Sequence, residues 1–409
     1  MQPQLSAAVM THRRRYDMAL SLRNKHPGLD MQVCTDDGVC GEAGSLRSAR
    51  MAWAAVRPGA THHMVLQDDV QLPPDMAQTL RPLLQSRPDA VICLFVEWGA
   101  WSASAARIAA LAGAGWVDVV DEYIPSQGIV MPADLARVAD THLRASLERQ
   151  EPDDWALMGF LHSQGITPIV AVPNIVEHDS GPSLTGNDHH GLRRSVCWMP
   201  GAATAETLSR EISDIDLLPS MSYSYRPGKD AASTMRIVPE SPSLDPDAPV
   251  DTGAHFWIRD GEPGRWRKVP VRPVFADLGV SVNDLAEMTD EALARFPGRA
   301  EASELLGDYL LTEFWIAAFS LGMRAAQIVA ENDLGTRLDH TTPIADQALS
   351  TMAVGAFRNV LPQSKYDFAT RLLKPLVVEG VQDGERWAHA HRGALSGAVA
   401  GLGRNAADR

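Results

Sequence analysis

One twelve-residue stretch, MVLQDDVQLPPD at 64–75, constrains the fold more than any other part of the chain. It opens with an apolar run at 64–66, which is typical of a strand buried on both faces of a parallel sheet. Two carboxylates, Asp68 and Asp69, follow, and the prolines at 73–74 end the strand and introduce a helix. Adjacent carboxylates repel each other and resist leaving water, and a divalent cation removes both costs. The stretch therefore predicts a metal site at a sheet edge, or else a solvated acidic turn.

Composition narrows the class of protein. At 409 residues the chain is longer than one typical domain, so about two or three domains are expected. The net charge of -14 argues against broad binding to nucleic acid or to anionic membranes. The four cysteines lack zinc-ligand spacing and are too few for a disulfide scaffold. We see no signal pattern and no apolar run of about 20 residues, so we expect a cytoplasmic protein without a membrane span.

The first two hundred residues alternate strand and helix patterns, which predicts an α/β domain with a mostly parallel sheet. Acidic clusters recur after strands or at helix starts, at 36–37, 68–69 and 153–154. Because α/β sheets bind ligands at the carboxyl ends of their strands, this recurrence favours a nucleotide and metal site there. Strands are expected at seven places: residues 5–10, 31–34, 64–66, 91–96, 116–120, 126–131 and 169–172.

Basic residues are expected at the same edge of the sheet. Three arginines, at 13–15, come after the first strand and before a helix. Cations oppose the dipole at a helix N-terminus, which favours phosphate binding over a solvated first turn. The next predicted helix, 45–56, carries Arg47 and Arg50 one turn apart.

Taken in order, these motifs resemble a known family. A strand ends in VMTHRR at 9–14, an acidic turn follows strand two, and an arginine-bearing helix precedes H-x-VLQDDV at 63–70. This order is similar to that of GT-A glycosyltransferases. The segment PNIVEHDSGPS at 173–183 is similar to the closing segment of the lipooligosaccharide-type (family 25-like) members. The resemblance covers about residues 5–195 and rests on the order and spacing of the motifs.

The resemblance implies a Rossmann-type GT-A fold that binds a nucleotide sugar, with UDP as the expected nucleotide and Mn²⁺ or Mg²⁺ as cofactor. In the family the central motif is Glu-Asp-Asp. Here Gln67 stands first, and its amide can bond a ribose hydroxyl but adds no charge. The resemblance makes Asp69 the metal ligand, places Asp68 at the ribose or metal, and gives His178 a contact to the metal or diphosphate. Without it, His178 is a strand-end histidine bonded to backbone.

The nucleotide pocket follows from the same resemblance. Thr11 and Arg13 would line it, and Arg47 is counted with the nucleotide-sugar-binding residues. Asp36 or Asp37 would face the base or the ribose. These five positions lie after the first two predicted strands or on the helix that follows them.

The general base is expected at Asp153 or Asp154, with Asp154 preferred, because an inverting enzyme of this kind keeps its base at this helix start. The alternative is that both acids are helix caps. The chemistry needs a carboxylate to take the acceptor's proton and a metal to neutralise the leaving phosphates. Trp98 and Trp101 would either stack on an acceptor ring or cover the hydrophobic core.

The second half predicts no catalytic constellation. We divide the chain into a catalytic domain at 1–215, a proline-rich linker with a possible hairpin at 216–275, and a helical accessory domain at 276–409 that is a candidate for homodimer contacts. The hairpin is expected within 256–274. Helices are expected at 281–296, 303–330, 342–361 and within 364–400.

The sequence therefore predicts metal-assisted, inverting transfer of a sugar from a nucleotide sugar to an acceptor, which is a saccharide, a peptide or a small molecule. Two alternatives stay open. One is a catalytically inactive, glycosyltransferase-like binding protein, suggested by Gln67. The other is a metal-dependent phosphate-transfer enzyme on another α/β fold.

Overall fold

The computed structural model divides the chain into two compact units. The sheet unit comprises residues 1–97, 113–181 and 194–213, and the helical unit comprises 98–112, 182–193 and 214–409. Residues 98–112 precede the predicted boundary at 215, yet they group with the last part of the chain. The structure describes residues 3–36, 44–146, 151–179, 181, 184, 191–222, 253–259, 266–335, 337–358 and 361–391.

The sheet unit has α/β architecture, which confirms the predicted class. Its strands are β1 (Leu5–His12), β2 (Gln32–Asp36), β3 (His62–Gln67), β4 (Val70–Gln71), β5 (Ile92–Cys93), β6 (Trp116–Asp118), β7 (Gly128–Pro132), β8 (Ile169–Ala171), β9 (Glu177–His178) and β10 (Glu211–Ile212). Its helices are α1 (Tyr16–Lys25), α2 (Gly44–Ala54), α3 (Met76–Ser86), α5 (Ala133–Ser146), α6 (Asp153–Ser163) and α7 (Ala205–Leu208); α4 (Trp101–Ala112) belongs to the helical unit.

Eight of these strands form one mixed, mostly parallel sheet in the order β10-β6-β8-β5-β7-β3-β1-β2. Strand β1, next to the edge strand β2, pairs in parallel with both β2 and β3. The register sets Met10 opposite Gln67, Thr11 opposite Thr35 and His12 opposite Asp36. The carboxyl ends of β1, β2 and β3 therefore lie side by side at one edge of the sheet.

The apolar run in β3 is buried on both faces, as predicted. Met64, Val65 and Leu66 are each no more than 2% exposed. Because successive strand residues point to opposite faces, burial of all three requires cover on both sides. Before them, the buried imidazole of His63 bonds on both sides: Nε2 donates to the carbonyl of Ala52 at 2.8 Å, and Nδ1 accepts from the Ser6 hydroxyl at 2.6 Å.

The helical unit adds a small sheet to its helices. Strands β11, β12 and β13 pair antiparallel in that order. The pairing of β12 with β13 is that of the predicted hairpin, whose connection at 260–265 lies outside the described residues. The elements are β11 (Leu217–Ser222), β12 (Gly253–Arg259), β13 (Trp266–Pro270), α8 (Val271–Asp277), α9 (Val282–Arg295), α10 (Arg299–Leu306), α11 (Asp308–Glu331), α12 (Pro343–Gly355) and α13 (Tyr366–Ala390).

The helices predicted to start at residues 281 and 342 begin there. Ser281 caps α9 through a capping box, and Thr342 caps α12 with Pro343 behind it. The single helix predicted over 303–330 was wrong, because the chain breaks between α10 and α11. At the break Gly307 has φ 80°, a left-handed conformation that side chains rarely adopt.

The two longest helices, α11 and α13, touch backbone to backbone. A Cβ atom built on Gly322 would lie 1.9 Å from the carbonyl oxygen of Val381, and one on Gly384 would lie 2.0 Å from that of Phe319. Only glycine permits this approach. Within the described ranges, no helix has both the length and the apolar character needed to cross a membrane.

Candidate functional site

The acidic pair lies in the turn between β3 and β4, and both carboxylates are buried. Strand β4 pairs antiparallel with β9, so Val70 is opposite His178. The backbone N–H of Asp179 donates to the carbonyl of Asp69 at 2.7 Å, which extends this pairing. As a result, His178 Nε2 lies 3.6 Å from Asp69 Oδ2. Two motifs that are far apart in the sequence therefore meet at one point.

Thr11 and Arg15 hold the pair from the end of β1. The Thr11 hydroxyl donates a short hydrogen bond to Asp68 Oδ2. Arg15 Nη1 lies 3.3 Å from Asp68 Oδ1 and 2.5 Å from Asp69 Oδ2. Arg13, the residue of this turn predicted to line the nucleotide pocket, is exposed. The turn at 13–15 is a 3-10 helix, and its rotation of about 120° per residue gives each arginine a different direction.

The two carboxylates differ in acidity although they are adjacent. Burial raises the pKa of Asp68, and this effect outweighs its hydrogen bond from Thr11 and the charge of Arg15. Burial also pushes the pKa of Asp69 upward, but the neighbouring His178 imidazole and the Arg15 guanidinium outweigh it, so the pKa of Asp69 is lowered. Asp69 is therefore the more readily ionised carboxyl group of the pair.

The residues around Asp69 fit a divalent cation. Among the described residues, Asp69 Oδ1 and both ring nitrogens of His178 are buried without a hydrogen-bond partner. Buried polar atoms nearly always have partners, so these three atoms call for one. Carboxylate oxygen and imidazole nitrogen are both suitable ligands for manganese, and magnesium accepts the oxygen.

The protein supplies only part of such a coordination shell. Over the part of the chain that the structure describes, no three His, Cys, Asp or Glu side chains converge as a metal-binding group. A cation held by Asp69 and His178 would complete its shell with water or with oxygens of a bound ligand. Magnesium in phosphate-processing sites commonly binds in this way, through one or two carboxylates and the substrate's phosphates.

Asp36 and Arg47 form a two-bonded ion pair next to this edge. Arg47 Nε lies 3.0 Å from Asp36 Oδ1, and Nη2 lies 3.1 Å from Oδ2. Asp36 is buried at the end of β2, and Arg47 lies on α2. The structure thus joins two predicted nucleotide-binding residues to each other. Asp37, the alternative to Asp36, lies outside the described residues.

Gln67 closes β3 at the same edge. Its side-chain Nε2 donates to the hydroxyl of Ser126 at 2.9 Å. Ser126 lies just before β7, the antiparallel neighbour of β3. The Gln67 amide therefore holds two neighbouring strand ends together.

Asp153 and Asp154 open helix α6, but neither is its N-cap, which is Pro152. Asp154 Oδ1 accepts from the backbone N–H of Trp155 at 2.9 Å. Burial, followed by the charge of Asp154, raises the pKa of Asp153 to about 6, even though Asp153 accepts a hydrogen bond from Ser45 at the start of α2. A helix N-terminus stabilises a carboxylate, so the raised pKa reflects the loss of water.

The two tryptophans considered for acceptor stacking are packed inside the helical unit. Trp101 lies on Trp257, with ring centroids 3.9 Å apart. Trp98 donates from Nε1 to the carbonyl of Leu192 at 2.8 Å and meets the ring of Tyr366 edge-on. Their positions agree with the alternative reading as lids of the core.

The fold and the site define a class of protein. It is an α/β protein with a buried acidic pair at the carboxyl edge of its parallel strands, and a buried histidine lies beside that pair. Comparison of the sequence with models of protein families gives no match, and comparison with curated proteins gives none either.

Proposed function

We propose that this protein is a glycosyltransferase of GT-A type, which transfers a sugar from a nucleotide sugar to an acceptor hydroxyl. The observation that carries the proposal is the meeting of Asp69 and His178 through the pairing of β4 with β9. These residues belong to the central and closing motifs on which the resemblance rests. The parallel strand ends around them form the edge at which α/β sheets bind nucleotides.

The metal site follows from the unpartnered atoms. Asp69 and His178 would hold Mn²⁺ or Mg²⁺, and Thr11 fixes the orientation of Asp68 beside them. A bound cation supplies charge neutralisation on the leaving diphosphate. The protein's own part is to keep these ligands buried and oriented, because ligands set in advance need not reorganise during the reaction.

The general base would be Asp153 or Asp154, at the start of α6. Burial and the charge of Asp154 raise the pKa of Asp153, so a carboxylate in this pair accepts a proton more readily than an ordinary aspartate. In the proposed step the acceptor oxygen forms a bond to the anomeric carbon, the bond from that carbon to the diphosphate breaks, and the acceptor's proton passes to the carboxylate.

The nucleotide is expected along the strand ends that carry Asp36, Arg47 and Gln67. The ion pair between Asp36 and Arg47 holds the start of α2 against β2. In this proposal the flat base or the ribose packs against the ion pair. We keep UDP as the expected nucleotide.

A binding experiment with UDP tests the proposal. UDP with Mn²⁺ is expected to raise the melting temperature of the wild type, since a ligand at about 100 times its Kd adds about 2.7 kcal/mol. Asp69→Asn is expected to lose the metal-dependent part of this effect. The matched control is Asp75→Asn, which removes an equal charge from an exposed residue of the same stretch. Absence of stabilisation by any nucleoside diphosphate, with or without metal, would rule the proposal out.

A second candidate is a binding protein without catalysis, favoured by the uncharged Gln67 and its bond to Ser126. It shares the nucleotide site, so binding does not distinguish the two. Release of UDP from UDP-sugars, with and without candidate acceptors, does. UDP binding without turnover of any nucleotide sugar would favour the binding protein, and hydrolysis of nucleoside triphosphates would favour a phosphate-transfer enzyme.

A further inference from the structure

Arg15 binds the same carboxylates that a divalent cation would bind. Its guanidinium reaches both carboxylates of the acidic pair, at 3.3 Å from Asp68 and 2.5 Å from Asp69. Its side chain is only 14% exposed, so the interaction is largely shielded from solvent. A guanidinium is always charged in a protein, so Arg15 brings one full positive charge to the pair.

Asp68 and Asp69 do not carry enough negative charge to bind both the Arg15 guanidinium and a divalent cation equally well. Asp68 and Asp69 carry two negative charges when ionised, and Arg15 supplies one positive charge. A divalent cation added at Asp69 would leave a surplus of positive charge in a buried site, and like charges a few ångströms apart repel strongly there. Binding of a metal would therefore weaken the attraction between the two carboxylates and Arg15. In the same way, Arg15 would weaken the attraction between the carboxylates and the metal.

Arg15 occupies only one oxygen of Asp69. It lies on Asp69 Oδ2, whereas Asp69 Oδ1 has no hydrogen-bond partner. His178 lies against the same carboxylate, with Nε2 3.6 Å from Oδ2 and with Nδ1 buried without a hydrogen-bond partner. Asp69 Oδ1 and the His178 imidazole would therefore be the atoms that hold a cation while the guanidinium is still on the other oxygen.

We propose that Arg15 is an exchangeable counter-ion of the acidic pair, which leaves Asp69 when a divalent cation binds and then donates to the phosphates of the ligand. The inference rests on the proposed nucleotide-sugar function and deepens it. A guanidinium matches phosphate in two-bonded geometry as well as it matches carboxylate. In this exchange the Arg15 guanidinium moves from the carboxylates that bind the metal to the phosphates of the bound ligand. Each charge keeps a partner of opposite sign.

Titration with MnCl₂ alone, by calorimetry or by the loss of free Mn²⁺ signal in electron paramagnetic resonance, tests the exchange. Arg15→Gln is expected to bind Mn²⁺ about tenfold more tightly than the wild type, or better. With Mn²⁺ saturating, the same variant is expected to bind UDP about tenfold more weakly. Opposite changes for the two ligands separate an exchange from a general loss of structure, which weakens both.

Two further variants complete the experiment. Arg14→Gln removes one positive charge from an exposed residue of the same turn, and is expected to leave both affinities within about twofold of the wild type. Arg15→Lys keeps the charge and loses the fork, so it is expected to keep the wild-type Mn²⁺ affinity and to lose UDP affinity. Should Arg15→Gln unfold, Arg15→Lys and Arg14→Gln still test the UDP half of the proposal.

The outcomes distinguish this inference from the function on which it rests. Equal or weaker Mn²⁺ binding by Arg15→Gln, with UDP still bound by the wild type, would overturn the exchange and leave the proposed function standing. Failure of the wild type to bind UDP under any condition would overturn the proposed function, and the exchange with it.

Discussion

Arg47 and Asp36 face each other through two parallel hydrogen bonds, of 3.0 and 3.1 Å, that connect helix α2 to the end of strand β2. The Asp36 side chain is only 4% exposed. The two residues come from elements that are close in sequence, and their contact holds α2 against the end of β2.

Breaking this pair is expected to weaken the sheet unit. Asp36→Asn leaves a largely buried guanidinium without its counter-charge, which costs about 2–3 kcal/mol. Hydrogen exchange of the β1 and β2 amides in wild type and variant measures the loss within this unit. Arg47→Lys keeps the charge but not the fork and is expected to lose less. Unchanged protection in both variants would show that the pair contributes nothing.

Asp153→Asn is expected to stabilise the protein at neutral pH. The folded-state pKa of about 6 lies above the unfolded value of about 4, so the folded protein keeps a proton that the unfolded chain has released. Stability therefore falls as pH rises from about 4 to 6. Removing the charge is expected to gain about 1–2 kcal/mol at pH 7 and nothing near pH 4. Urea unfolding at both pH values measures it.

The same substitution is expected to reduce turnover of a nucleotide sugar by about 10²- to 10⁴-fold if Asp153 takes the acceptor's proton. In the wild type, kcat/KM is expected to rise with pH through about 6 and then level. Asp154→Asn is measured beside it, because Asp154 is the other candidate base and its charge raises the pKa of Asp153. A larger loss in Asp154→Asn than in Asp153→Asn would assign the role to Asp154.

His63 is expected to make the sheet unit sensitive to acid. Burial lowers its pKa to about 4, below the unfolded value of about 6.5. The unfolded chain takes up a proton first as pH falls, so stability is lost between about pH 6.5 and 4. His63→Gln is expected to cost about 1–3 kcal/mol at pH 7 through its lost buried hydrogen bonds, yet to lose less than the wild type on acidification. Exchange of the β3 amides at pH 7 and pH 5 compares them.

Gly322→Ala is expected to destabilise the helical unit by about 2–4 kcal/mol. Alanine favours a helix over glycine by about 1 kcal/mol, but the added Cβ would lie 1.9 Å from the carbonyl oxygen of Val381, so α11 and α13 must separate. Gly159→Ala in α6 is the control, because a Cβ there meets no atom within 4 Å. The control is expected to be neutral or slightly stabilising. Equal melting temperatures for both variants would contradict the close contact.

The parts of the site that the sequence predicted are those encoded by local patterns. The apolar run before Asp68 forms a strand whether or not its partners are known, and parallel pairing then brings Thr11, Asp36 and Gln67 to one edge. The role of Arg15 was missed because the choice among three neighbouring arginines depends on the rotation of a single 3-10 turn. No sequence pattern records that rotation.

The remaining misses concern contacts between distant residues. The break at Gly307 had a local signal, a glycine before an acid, which the apolar periodicity around it concealed. Nothing near α4 indicates that it packs against β11, α11 and α12, because its pattern of small apolar residues suits any core. Elements of this kind are assigned by their partners and not by their own sequence.

The position of α4 also has a consequence for synthesis on the ribosome. Every residue of α4 after Trp101 is buried, and its partner helix α11 begins about 200 residues later, at Asp308. At a translation rate of about 5–20 residues per second, α4 waits about 10–40 s before that partner is made. Throughout this interval a helix of mostly small apolar residues, which the finished fold buries, is exposed on a nascent chain, and such a segment is a natural target for the chaperones that shield new proteins from aggregation.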